Sequence, residues 1–229
     1  MATSTSFRSQ QTATRPEPRS DGFVVVGSDR DLGLNLPQKM GKALWAPMLL
    51  MGLMGFAVAQ ILGIVRSNTI VTRPDDLVAV AQLAQVTTGV MFIGFLGVFA
   101  AITFAIARIL GEFRSGGGSI QEFVTGHVQT LKMPLTARAM VASMMMGMMI
   151  LMVAVVLHFV VAATVVGASD AAQLQTAQWS SALEGVRRIG VGMYLGGIVL
   201  GLVTIIHVLR FQSVRILELA DEYEQRAKG

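Results

Sequence analysis

The chain has no cysteine, which excludes disulfides, thiolate metal sites and cysteine nucleophiles. It also lacks acid where a coupled carrier would need it. All 14 Asp and Glu fall outside the long apolar runs or at their edges, whereas proton- and sodium-coupled carriers typically hold a carboxylate at membrane depth. A phosphate-binding loop, a dinucleotide fingerprint, a nucleophile elbow and a metalloprotease helix are all missing. Ser115-Gly116-Gly117-Gly118-Ser119 is not followed by Gly-Lys-Ser/Thr, so it reads as a flexible joint rather than a phosphate cradle. The N-terminus does not read as a secretory signal, because the first long apolar run starts about 40 residues in and has full spanning length.

What is present is apolar. Hydrophobic residues make up 53% and the mean hydropathy is +0.61, too high for a typical soluble domain. The stretch 140–167 has no charge, and His158 is its only strongly polar residue. As a helix it spans roughly 42 Å, more than a hydrocarbon core of about 30 Å. A backbone in lipid must satisfy its own hydrogen bonds, so the run is helical. Three further runs have the same character, and the spans are placed at 43–65, 88–110, 139–167 and 189–211. The fold expected is an all-α integral membrane domain over 39–211. It is preceded by a mostly disordered segment, 1–38, and followed by a charged helical extension, 212–229. Within the first segment, 23–26 reads as a loop touching the membrane surface, with a strand or a docking segment as the alternatives.

Pro74-Asp75-Asp76 is a helix start, and one long helix is expected over 75–113. Ser119 and Glu122 form a capping box. Ile120, Phe123, Val124, His127, Val128 and Leu131 then recur at helical spacing, which predicts a short amphipathic helix on the cytoplasmic surface between the second and third spans. Ser169-Asp170 should cap the last helix, with ion pairs Arg215–Glu218 and Glu222–Arg226 along its extension.

Charge sets the orientation. With both termini inside, only Arg66, Arg73, Arg187 and Arg188 fall outside, and every other lysine and arginine falls inside. This bias accounts for the net charge of +4 and a pI near 10 without nucleic acid. The two halves also resemble each other. Gly52 matches Gly147, and in the second helices Gly89 matches Gly190 and Thr103 matches Thr204. That implies two helical hairpins in the same orientation.

Candidate sites are few. Met140, Met144 and Met148 carry soft ligands suited to Cu(I), and His207 falls at a depth close to Met140 and Met144. Adaptable packing is the simpler reading of the methionines, so no cofactor is expected. His158 and His207 lie roughly 13 Å and 27 Å from the outer ends of their helices. They cannot share one haem within a subunit, and each is expected to hydrogen-bond a neighbouring helix. Gln60, mid-span, should donate to another helix. Gly55, Ala59 and Gly63 on the first helix, and Gly192, Gly196, Gly197 and Gly201 on the fourth, form small-residue faces for close packing. Glu184 with Arg187 and Arg188 reads as a salt-bridged external face. Together these point to a non-catalytic, multi-pass accessory subunit of a bacterial inner-membrane complex. Its partners would be lipid and other integral subunits. A small transporter or channel, or a redox subunit holding copper or haem, are the alternatives.

Overall fold

The computed structural model describes residues 23, 25–27, 36–126, 128–165 and 170–228. The expectations for 1–22, His127 and Ser169 fall outside the described residues, as does the side chain of Arg226. The order is β1 (Val25–Gly27), α1 (Leu36–Thr72), α2 (Leu77–Thr125), β2 (Gln129–Leu131), α3 (Leu135–Thr164) and α4 (Asp170–Lys228). All four helices are long and apolar enough to cross a membrane. The longest, with 49 and 59 residues, reach about 73 and 88 Å, far beyond a hydrocarbon core of about 30 Å.

The helix ends follow local chemistry, with some differences from expectation. α1 carries on through Arg66 to Thr72, so the turn into α2 is shorter than the charge pattern suggested. The Asp76 carboxylate accepts from Ala79 N–H at 3.1 Å and caps α2. α3 stops at Thr164, short of the expected 167.

The expected break at Ser115–Ser119 is absent, because α2 runs through it without interruption. The Ser115 hydroxyl donates to Gly111 O at 3.1 Å and the Ser119 hydroxyl to Ser115 O at 2.9 Å. A Cβ on Gly117 would collide with the side-chain amide of Gln212 on α4. These glycines admit a neighbouring helix instead of supplying a joint. The expected short amphipathic helix is likewise not a separate element. Ile120, Phe123 and Val124 belong to the last turns of α2, which ends at Gly126 with φ 71°, and Leu131 lies in β2.

α1 packs on α2, α3 packs on α4, and α2 carries the contacts between the two pairs. Within each pair the helices meet backbone to backbone. A Cβ on Gly52 would lie 2.7 Å from Val98 N and 2.9 Å from Gly94 O, and one on Gly147 would lie 2.8 Å from both Gly190 O and Tyr194 N. In lipid no hydrophobic effect drives helices together, so such close packing supplies the adhesion. Gly52 sits over Gly94 in the first pair much as Gly147 sits over Gly190 in the second.

Between the helices lies a core that includes Phe92, Phe99, Met144, Leu151 and Tyr194. The start of α1, the end of α4 and the α2–α3 connection share one end of the molecule, the terminal end. The α1–α2 turn lies at the opposite, turn end. At the terminal end β1 pairs antiparallel with β2, Val25 opposite Leu131. The Phe23 ring lies 5.3 Å from that of His207 and 5.5 Å from that of Phe211. The strand alternative for 23–26 therefore holds at Val25 and Val26.

Candidate functional site

Polar side chains inside an apolar helix need partners from the other helices. Towards the turn end three helices contribute one each: Gln85 from α2, His158 from α3 and Ser180 from α4. Gln85 and His158 are only 4% and 2% exposed. The bonding fixes each role. The Ser180 hydroxyl donates to Thr176 O at 2.9 Å, so its oxygen accepts from the Gln85 side-chain NH2 at 2.6 Å. The Gln85 carbonyl oxygen then faces His158 Nδ1 at 2.7 Å, and Nδ1 must carry the proton. His158 Nε2 is left with its lone pair, buried and without a partner. Gly89 gives the imidazole room, since a Cβ there would lie 3.2 Å from the Phe159 ring and 3.4 Å from His158 Cβ.

Nearby, the Arg187 guanidinium lies 4.8 Å from the centre of the Phe92 ring, a cation–π contact. Arg187 thus turns inward, and only Arg188 makes the expected pair with Glu184. A cavity of about 280 Å³ borders Gln85 and Ser180 and reaches Gln173, Thr176 and Arg66. The arrangement orients one neutral imidazole as an acceptor. Among the described residues no carboxylate joins it, and no group of three or more His, Asp or Glu gathers.

A second polar cluster sits in the core. The Tyr194 ring stacks on Phe99 at 4.1 Å, and its hydroxyl lies 2.6 Å from Thr103 Oγ1 and donates to Phe99 O. The sequence reading missed Gln85, Ser180 and Tyr194. The available signal was polar residues one turn apart inside helices, such as Thr176 with Ser180 and Gln82 with Gln85.

The proposed soft-metal trio is not assembled. Met144 packs on Gly197, where a Cβ would lie 2.5 Å from Met144 Cγ. Met148 packs at the edge of the core. His207 rests on Phe23, about 15 Å further along α4 from Gly197. The small-residue faces divide. Gly55 closes on Gly94 of α2 and Ala59 is buried, whereas Gly63 has nothing within 4 Å. Gly197 and Gly201 close on Met144 and Met140 of α3, whereas Gly192 has open space and Gly196 meets only Ser143 Oγ at 4.0 Å. Gln60 is exposed on α1 and bonds to no described side chain or backbone group. Compared with known protein families, curated proteins and solved structures, the chain has no significant match.

Proposed function

We propose that the chain is a non-catalytic, multi-pass subunit of a larger assembly in a bacterial inner membrane, with both termini cytoplasmic. The observation that carries this reading is Gln60. Polar side chains within spans normally face the bundle interior, because hydrocarbon offers them no partner. Gln60 instead points away from its own bundle, one turn before the open Gly63. A helix from another subunit would satisfy the amide and fill the space above the glycine. Gly192 and Gly196 leave a comparable open groove on α4. The matching contacts of Gly52 and Gly147 support two hairpins of common origin and like orientation, and the charge bias supports the cytoplasmic termini.

The test is co-purification in mild detergent from the native membrane. Gln60→Leu should lose a bound partner while its circular dichroism stays helical, and Ile61→Leu should keep it. A Gln60→Leu protein that retains every partner, or a wild-type protein that runs alone as a monomer, overturns the reading. The second reading, a small transporter or channel, is favoured by the cavities found towards both ends of the bundle. The core of Phe99, Met144, Leu151 and Tyr194 lies between them.

A further inference from the structure

A second cavity, of about 460 Å³, opens at the terminal end between α2, α3 and α4, beneath β2. Its wall changes character along the membrane normal. The deep part is bounded by Ala107, Met140, Val141 and Val208 with one hydroxyl, Thr204, and the shallow part carries Gln121, Gln129 and Gln212 beside Leu131 and Met133. Arg114 stands between the two and is the only charged residue in the lining. From Ala107 to Gln121 the cavity follows α2 for about 20 Å, so it is long rather than compact.

Among the described residues Arg114 has no counter-charge. No described carboxylate pairs with it, and its Nε is buried without a hydrogen-bond partner. The carboxylate two residues back, Glu112, is turned to Arg108 at 3.9 Å. A guanidinium drawn partly out of water and left unpaired is costly unless an anion meets it. Its planar fork suits phosphate or carboxylate oxygens. Lys132 and Arg138, both exposed on the adjoining stretch, add to the positive field at this mouth.

We propose that this cavity binds an anionic membrane amphiphile, with its phosphate at Arg114 and its hydrocarbon chain against Met140, Val141 and Val208. The gradient of the wall matches the order of such a molecule in a bilayer, with its headgroup at the surface and its tail towards the centre. Basic pockets between membrane helices hold anionic headgroups by the same chemistry.

The test uses the full chain, delipidated in detergent, with native mass spectrometry of lipid adducts. Phosphatidylglycerol should bind about tenfold more tightly than phosphatidylcholine with the same acyl chains, the scale of one charge-assisted contact. Arg114→Gln should abolish that preference, Arg114→Lys should keep much of it, and Arg73→Gln, exposed at the opposite end of the molecule, should keep it whole. Equal binding of the two lipids by the wild type, or a preference that survives Arg114→Gln, overturns the proposal. So does inorganic phosphate that displaces phosphatidylglycerol at millimolar concentration, because the site would then be one for a soluble anion. Should Arg114→Gln fail to fold, Val141→Trp decides. It keeps the cation and blocks the apolar space, and undiminished phosphatidylglycerol binding in it also overturns the site.

Discussion

Gln85 is held at both ends of its amide, and that makes it the sensitive member of the polar chain. Replacing it with leucine strands the Nδ1 proton of a buried imidazole, a loss of about 1–3 kcal/mol. Ser180→Ala, which removes a partner common in helical membrane proteins, should cost less, on the order of 0.6 kcal/mol. Replacing both Gln85 and His158 with leucine should cost less than the two single changes added together, because neither polar group is then orphaned. Thermal melts of the four proteins in one detergent check this, and strict additivity would show that the two side chains do not act as a pair. The sequence indicated that His158 would bond a neighbouring helix, since a lone imidazole in an apolar run has no other means of satisfaction. It did not indicate Gln85 as the partner. That choice depends on how α2 and α3 are rotated, which the apolar runs leave open. His207 went differently, because the ring that meets it comes from Phe23 in a segment with no helical signal.

Glycine positions separate by the neighbour each one faces. A leucine at Gly52 would have to displace the backbone of Val98 and Gly94, so Gly52→Leu should destabilise the α1–α2 pair by about 3 kcal/mol or more. Gly63→Leu should be close to neutral for the isolated chain, since nothing lies within 4 Å of that site. Unfolding in detergent measures both, and equal melting of the two variants would mean the close approach at Gly52 is not formed. Gly197→Leu belongs with Gly52, for it strikes Met144 within the same chain. It therefore reports on the bundle rather than on a partner, and Gly192→Leu is the substitution that probes a partner. Helix locations were legible because lipid imposes a length and an apolar composition on every span. The continuity of α2 through Ser115–Ser119 was not. Three consecutive glycines are poor helix formers, and only the contact with Gln212 of α4 shows why they stay helical. The same limit applied to β2, whose few residues carried a helical spacing by coincidence.

Because the native chain has no cysteine, single cysteines can report its disposition across the membrane without background. A cysteine at Thr72, at the turn end, should react with an impermeant maleimide from outside. One at Ser119, beside the terminal end, should react only after the membrane is opened. Labelling in the reverse pattern would invert the molecule and place the Arg114 cavity in the opposite leaflet. Helices adjacent in sequence pair, α1 with α2 and α3 with α4, and α2 joins the two pairs. The pairing of β1 with β2 has a consequence in time. β1 is made before either helix of the first hairpin, and its partner strand follows only after both. During synthesis the first hairpin must therefore enter the bilayer with β1 still unpaired. The ladder can close as soon as β2 is made, before α3 begins, so it fastens the start of the chain across the first hairpin before the second arrives.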